Sequence, residues 1–206
     1  MKLFGVLGDP VSHSLSPVMH NAAFKALGMD CEYHAFRVGK DYLHDAIHGA
    51  CALGFGGINL TIPLKEKALE IVKPTGLARK IGAVNTIDFK NGITGYNTDG
   101  IGAKMAILGS GVDIKGKNVL LLGAGGAARA IAFTLANEGA NVTIANRTPK
   151  RAISLAKDIE IAGNIVASGL DNLESLIKNM EESIDKFESE VDYVLSESNT
   201  VTKIEV

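Results

Sequence analysis

Residues 118–147 read NVLLLGAGGAARAIAFTLANEGANVTIANR, and this stretch decides the fold of the second half of the chain. It begins with an apolar run, turns at a group of glycines, continues through alanine-rich sequence that favours a helix, and ends in a second apolar run. Apolar runs on either side of a helix are typical of buried parallel strands joined by a crossover. The stretch therefore predicts a βαβ unit of a Rossmann-type sheet.

The glycine turn of this unit matches the dinucleotide-binding pattern G-x-G-x-x-A. Gly123 permits a tight turn, and Gly125 lets main-chain amides approach a pyrophosphate at the positive end of the helix. The alternative is a glycine turn that precedes a helix without binding a ligand. The position of this turn between a strand and a helix favours dinucleotide binding. The predicted phosphate-binding residues are Gly123, Ala124, Gly125, Gly126 and Ala127.

The end of the second strand indicates which dinucleotide is bound. An NAD-binding unit places a carboxylate here for the ribose 2′-hydroxyl, whereas this chain has Asn146, Arg147 and Thr148, followed by Arg151. A guanidinium offers two parallel hydrogen bonds to a 2′-phosphate, which a carboxylate would repel. Solvated basic residues at a helix start are the alternative, and it is disfavoured because cations there oppose the helix dipole. The predicted cofactor is NADP.

The first hundred residues alternate between strand and helix patterns. Ser16 and Pro17 supply an N-cap oxygen and a first-turn proline, and Gly28 and Gly54 are placed to end two helices. The predicted strands span 2–8, 31–38 and 56–62, the predicted helices span about 17–27 and 40–53 with another from about 65, and a hairpin turns at 91–92.

The predicted fold class is α/β, in two domains. An N-terminal α/β substrate-binding domain at 1–100 is followed by a shortened Rossmann-type NADP-binding domain at 101–206. Residues 100–117, a helix and a short polar stretch, would connect them. A length of 206 residues with 46% hydrophobic content suits two small domains with buried cores.

Polar side chains gather in the first half at the ends of apolar strands, where open α/β sheets hold their ligands. Hydroxyls beside a helix start suit an anionic carboxylate, although a serine-rich loop that only caps the helix is the alternative. The polar segments are SHSLSP at 12–17, NLTIPLK at 59–65, GAVNT at 82–86 and GYNTDG at 95–100.

These segments, with GAGGAARA and NRTPKR, occur in the order and approximate spacing of the shikimate dehydrogenase family, and the chain resembles its archaeal members from residue 3 to about 170. The resemblance implies reversible, NADPH-dependent reduction of 3-dehydroshikimate to shikimate in aromatic amino acid (chorismate) biosynthesis. It also implies site roles. Ser14 and Ser16 would bind the substrate carboxylate, Asn59, Thr61, Asn85 and Asp99 the ring hydroxyls, and Lys65 with Asp99 would form the catalytic pair.

The chemistry of that pair follows from the reaction type. Hydride delivery to a ketone creates an alkoxide, so a proton donor must lie within hydrogen-bond reach of that oxygen. The ammonium of Lys65, held by the Asp99 carboxylate, can donate and orient, although a solvated lysine at a helix start is the alternative. His44 and His48 lack a third ligand, so a solvent-exposed helix face is predicted there and no metal.

Composition narrows the partners and the compartment. A net charge of −2 provides no basic surface for nucleic acid or an anionic membrane. Cys31 and Cys51 lack metal-ligand or disulfide spacing, and no apolar run is long enough to span a membrane. We expect a cytoplasmic protein that binds a small molecule.

The C-terminal tail departs from the family pattern. Apolar residues recur every three and four positions from Leu170, which predicts a helix at about 171–188 and a strand at 191–195. A coiled coil that forms a homodimer is the alternative. The family continues beyond this point, so a second hypothesis is a truncated or non-catalytic NADP- and shikimate-binding relative whose tail mediates association.

Overall fold

The computed structural model describes residues 1–159, 165–169 and 177, and the chain divides into two compact units, Met1–Asp99 and Gly100–Val206. Nine strands and six helices lie in the described residues, along with 3-10 turns at Lys40–Tyr42 and Lys67–Glu70. In the first unit they are β1 (Lys2–Gly8), α1 (Ser16–Ala26), β2 (Cys31–Arg37), α2 (Leu43–Ala52), β3 (Gly57–Leu60), β4 (Lys73–Pro74), α3 (Gly76–Ile81), β5 (Thr86–Asp88) and β6 (Thr94–Tyr96). From residue 99 onward they are α4 (Asp99–Gly109), β7 (Asn118–Leu122), α5 (Gly126–Asn137), β8 (Asn141–Asn146), α6 (Pro149–Ile159) and β9 (Ile165–Gly169).

The six strands of the first unit form one mixed sheet in the order β2-β1-β3-β5-β6-β4. β1 pairs in parallel with both β2 and β3, whereas β5 runs antiparallel to β3 and β6. The predicted hairpin between β5 and β6 is confirmed, and its turn uses Gly92 at φ +95°, a conformation that glycine adopts without steric cost. The register places Asn59 of β3 opposite Val6 of β1 and Thr86 of β5. Paired residues project to the same face, so these three side chains lie side by side.

The core of this unit lies between α2 and the sheet. Leu43 and Ile47, one helical turn apart, are fully buried in a cluster that also contains Ile58, Leu60 and Ile87 from the strands. The alternation along β3 explains the placement of its polar residue. Ile58 and Leu60 project into the core cluster, and a period of two sends the intervening side chain to the opposite face.

α1 and α2 end just before Gly28 and Gly54, as predicted, whereas the predicted cap at the start of α1 needs correction. Gly28 and Gly54 have φ values of +64° and +77°, as expected for residues that end helices. The prediction that Ser16 caps α1 is wrong, because the helix begins at Ser16 itself. The oxygen that satisfies the free Ser16 N–H is Ser14 Oγ, at 3.3 Å.

Two further elements are shorter than predicted. The strand expected at 56–62 covers only Gly57–Leu60. The chain leaves the sheet there in a turn, in which the Leu64 N–H donates to the Thr61 carbonyl at 2.9 Å. The helix expected from about residue 65 is a single 3-10 turn at Lys67–Glu70, since the chain soon enters β4.

The second unit contains the predicted βαβ arrangement. Its strands are parallel in the order β7-β8-β9, and α5 connects the first two. Small residues let the helices approach closely. A Cβ at Gly100 of α4 would lie 2.1 Å from Thr134 Oγ1 and 2.5 Å from the Ala130 carbonyl of α5. The predicted α/β fold class is confirmed.

The predicted tail elements lie outside the described residues. This applies to the helix at about 171–188, apart from Ile177, which is helical and half-buried, and to the strand at 191–195. Among the helices that the structure describes, none is long and apolar enough to cross a membrane.

Candidate functional site

A polar cavity of about 360 Å³ opens on the first unit, at the face that carries Asn59. It is surrounded by the start of α1, the end of β3 and the segments that flank the β5–β6 hairpin. Its lining residues are Val6, Ser14, Ser16, His20, Asn59, Leu60, Thr61, Asn85, Thr98 and Asp99. All six of the predicted substrate-binding residues are therefore brought together in one cavity.

The two predicted carboxylate-binding serines lie at the start of α1, Ser14 on the preceding loop and Ser16 as the first residue of the helix. Ser14 and Ser16 are both half-buried, and both line the cavity. The Ser14 hydroxyl oxygen accepts the Ser16 N–H, which leaves its own hydrogen available to donate. Two hydroxyl donors beside a helix start are a suitable environment for a ligand carboxylate.

Lys65 and Asp99 form an ion pair, with 2.7 Å between Nζ and Oδ2 and side-chain exposures of 15% and 21%. The other carboxylate oxygen, Oδ1, accepts a hydrogen bond from Asn85 Nδ2 at 2.6 Å. Both oxygens are therefore fixed. Asn97, which is buried, holds the backbone from below, because its Oδ1 accepts the Asp99 N–H at 3.1 Å while its Nδ2 donates to the Ala83 carbonyl.

This geometry leaves the lysine free to act on a ligand. An ammonium carries three N–H groups, and one of those on Lys65 is used by Asp99. The structure describes no second hydrogen bond from Lys65 Nζ. A partly buried ammonium whose direction is set by a carboxylate is suited to donate a proton to an oxygen, or to stabilise negative charge on it.

Asn59 lies at the centre of the cavity wall, between three protein partners. Its Nδ2 donates to Thr86 Oγ1 at 3.0 Å and to the Asn85 carbonyl at 3.3 Å. Its Oδ1 accepts the hydroxyl of Tyr33 at 2.8 Å. Both amide hydrogens are used within the protein, so Asn59 faces a ligand as an acceptor. Thr61, two residues on, is half-buried in the same wall.

In the second unit, the glycine turn has the shape that a phosphate requires. Gly123 adopts φ +123°, a conformation that side chains rarely allow, and a Cβ at Gly123 or Gly125 would meet nothing within 4 Å. Gly125 precedes α5 and provides no side-chain cap, and Ala127, in the first turn of α5, is buried. No side chain caps the first amides of α5, and the space beside both glycines is open, an arrangement that fits the pyrophosphate of a dinucleotide.

The end of β8 carries basic side chains that form no ion pair within the described part of the chain. Asn146 Nδ2 donates to the Thr148 carbonyl at 2.9 Å and so shapes the turn into α6. Arg147 and Arg151 are exposed, the first turn of α6 contains no acidic residue, and neither arginine forms an ion pair with any described residue. By contrast, Arg129 pairs with Asp158. This arrangement fits a phosphate ester better than a neutral hydroxyl.

Three side chains at the cavity of the first unit were not among the residues predicted from the sequence. His20 and Thr98 line the cavity, and Tyr33 binds Asn59 from behind it. His20 could have been found by helix periodicity, because it lies four residues after Ser16 on the same face of α1. Tyr33 reaches Asn59 because β1 pairs with both β2 and β3. A local sequence pattern does not indicate such a contact.

His44 and His48 lie side by side on the exposed face of α2, as predicted, with ring centroids 4.4 Å apart. His44 Nδ1 contacts Asp45 Oδ1 at 3.0 Å. Within the described residues, no group of three or more His, Cys, Asp or Glu side chains is placed to hold a metal ion.

An α/β unit with a polar cavity, followed by a dinucleotide-type βαβ unit, places the chain among two-domain proteins built like dinucleotide-dependent dehydrogenases. Residues 6–87 match the family model of the shikimate dehydrogenase substrate binding domain, and residues 104–201 match that of shikimate / quinate 5-dehydrogenase. The chain belongs to the shikimate dehydrogenase family.

Individual relatives agree with this assignment. The chain is 66% identical over 180 residues to the shikimate dehydrogenase (NADP(+)) of Methanococcoides burtonii, in an alignment that covers 85% of this chain and 67% of that protein. A shikimate dehydrogenase solved in complex with NADP+ is 46% identical, with a TM-score of 0.77 over 83% of this chain and 62% of the other. The Thermus thermophilus enzyme, solved with NADP(H) and shikimate, is 41% identical, with a TM-score of 0.73 over 81% of this chain and 63% of the other. The chain thus spans about two thirds of the length of these relatives.

Proposed function

We propose that this chain is an NADP-dependent shikimate dehydrogenase that interconverts 3-dehydroshikimate and shikimate. Residues 1–100 would bind the substrate and residues 101–206 the NADP. The observation that carries the proposal is the Lys65–Asp99 ion pair at 2.7 Å, next to a cavity lined by serine and asparagine side chains. The family assignment and the names of the relatives support the same reaction.

The cavity provides complementary groups for a hydroxylated carboxylic acid. Ser14 and Ser16 would donate to the carboxylate from the α1 end. Asn59, Thr61 and Asp99 would accept hydrogen bonds from ring hydroxyls, because all three line the cavity and each carries an oxygen with a lone pair to share. Asn85 is also predicted to take part, and we expect it to act by orienting Asp99, since both of its amide hydrogens are used within the protein.

Lys65 would supply the proton that a ketone oxygen requires during reduction and accept it back during oxidation. Asp99 would hold the Nζ of Lys65 toward that oxygen. The bound nicotinamide would supply or take the hydride. In the reverse direction, the pair can draw the proton from the substrate hydroxyl as the carbonyl forms, so one arrangement serves both directions.

NADP would be held by two groups of residues in the second unit. The turn from Gly123 through Ala127 would bind the pyrophosphate with main-chain amides. The residues at the end of β8 would bind the 2′-phosphate of the adenosine ribose. They are Asn146, Arg147, Thr148 and Arg151.

A spectrophotometric assay of NADP reduction with shikimate tests the proposal directly. We expect the 206-residue chain to reduce NADP when shikimate is added. The Lys65→Ala variant should lose this activity. The second candidate, carried over from the sequence, is a non-catalytic family member that binds both ligands. In that case calorimetry would detect binding of NADP and shikimate although no reduction occurs. Cytoplasmic location and homodimer formation stay predictions from the sequence.

A further inference from the structure

Tyr33 combines deep burial with a polar contact that the proposed reaction does not use. Its side chain is 3% exposed, and its hydroxyl donates to Asn59 Oδ1 at 2.8 Å. Asn21 of α1 fixes the backbone on both sides, because it accepts the Tyr33 N–H and donates to the Tyr33 carbonyl. His20 stacks on the ring with 4.3 Å between centroids. The phenol is thus held from two directions against the back of the cavity.

The neighbours of Asn59 determine which way its carboxamide points. A main-chain carbonyl can only accept hydrogen bonds, so the Asn85 carbonyl requires the NH₂ group of Asn59 on its side. Asn59 Oδ1 must then face Tyr33, and the phenol must be the donor. Burial raises the pKa of Tyr33 to about 12, which keeps that hydrogen in place.

A second asparagine is oriented by the same reasoning. The N–H of Thr98 can only donate, and it points at Asn85 Oδ1 at 3.0 Å. The NH₂ group of Asn85 is therefore directed at Asp99 Oδ1. Thr86 joins the two carboxamides, because its Oγ1 accepts from Asn59 Nδ2 at 3.0 Å and donates to Asn85 Oδ1 at 2.9 Å.

We propose that Tyr33 and Thr86 are positioning residues of a one-way hydrogen-bond chain that orients Asp99. The chain runs from the phenol of Tyr33 through Asn59, Thr86 and Asn85 to the carboxylate of Asp99, and every donor points in the same direction. Aligned hydrogen bonds polarise one another and fix each member in one orientation. The inference rests on the proposed function only in assigning the substrate to the cavity, since the hydrogen bonds themselves join protein groups.

Side-chain amide signals in the NMR spectrum of ¹⁵N-labelled protein test the chain without any ligand. The NH₂ signals of Asn59 and Asn85 can be assigned from their disappearance in Asn59→Asp and Asn85→Asp. Tyr33→Phe should shift the Asn59 signals, and Thr86→Val should shift those of both asparagines. Tyr42→Phe is the matched control, since this exposed phenol forms no hydrogen bond with a described residue and should shift neither pair. Asn59 signals that stay unchanged in Tyr33→Phe would overturn the proposal.

The affinity for shikimate, measured by calorimetry, then tests whether the hydrogen-bond chain holds the cavity residues in place. Tyr33→Phe and Thr86→Val should each weaken binding by about 2- to 13-fold, the range for one hydrogen bond. Both substitutions interrupt the same series of hydrogen bonds. The double variant should therefore bind shikimate no more weakly than the single variant with the lower affinity. A double loss equal to the product of the single losses would show independent structural effects and overturn the proposal. Thr94→Val on the same hairpin is the matched control and should bind as the unchanged chain does.

The two tests separate this inference from the proposed function. If the unchanged chain binds no shikimate, the proposed substrate is wrong, while shifted Asn59 and Asn85 signals would still support the hydrogen-bond chain. If shikimate binds tightly and the amide signals of Tyr33→Phe match those of the unchanged protein, the proposed function stands and the positioning role fails. If Tyr33→Phe does not fold, Thr86→Val provides the same comparison from the middle of the chain.

Discussion

The ammonium of Lys65 and the carboxylate of Asp99 make the most direct prediction at the scale of single residues. Lys65→Ala should lower kcat for shikimate oxidation by about 10² to 10⁴, the range of acid–base contributions. Lys67→Ala is a matched control, because Lys67 also forms an ion pair, with Glu70, but on the exposed surface. Its kcat should be unchanged. Steady-state kinetics measures both, and a Lys65→Ala variant with full kcat would show that the proton comes from another group.

Tyr33 gives a second residue-scale prediction, in the pH dependence of stability. The pKa of its phenol is raised from 10.0 to about 12 in the folded protein, so folding favours the protonated form. The resulting stabilisation is fully present below pH 10 and is lost as the pH rises through 12. Over that range, the free energy of unfolding should fall by about 1 to 3 kcal/mol more in the unchanged protein than in Tyr33→Phe. Urea titrations from about pH 9 to about pH 12 measure this, with Tyr42→Phe as control. Parallel curves for Tyr33→Phe and the unchanged protein would contradict it.

At the scale of elements, the contact between α4 and α5 depends on one glycine. A Cβ at Gly100 would lie 2.1 Å from Thr134 Oγ1 and 2.5 Å from the Ala130 carbonyl, so Gly100→Ala should destabilise the protein by about 1 to 3 kcal/mol. Gly102, on the same helix, has nothing within 4 Å of its Cβ position. Gly102→Ala should therefore stabilise the protein by up to about 1 kcal/mol, as alanine does in a helix. Urea midpoints with an unchanged m-value give both numbers. Equal effects of the two substitutions would show that α4 does not approach α5 so closely.

Some helices and strands could be predicted from the sequence, and others could not. The βαβ unit and the β5–β6 hairpin were predictable because apolar runs, glycines and a turn dipeptide encode them locally. The short elements β4 and α3 have too few residues for a periodic pattern to appear. The hydrogen bond between Tyr33 and Asn59 joins residues 26 positions apart in sequence, and it exists only because β1 pairs with both β2 and β3. Motifs therefore identified the predicted substrate-binding residues, whereas the contact of Tyr33 with Asn59 depends on strand pairing and appears in no local pattern.

For the whole molecule, the proposed function assigns the two ligands to separate units, and separate substitutions should therefore affect them independently. Arg147→Asp should weaken NADP binding by about 1 to 3 kcal/mol, the scale of a charged hydrogen bond, and weaken NAD binding less, because NAD lacks the 2′-phosphate. Shikimate affinity should stay unchanged, whereas Lys65→Ala should leave NADP affinity unchanged. Arg79→Asp, on an exposed position of α3, changes the net charge equally and controls for long-range electrostatics. Calorimetry with each ligand alone measures all of these affinities. Equal affinity of the unchanged chain for NAD and NADP would contradict the role of Arg147, since a 2′-phosphate bound by its guanidinium must add to the free energy of binding.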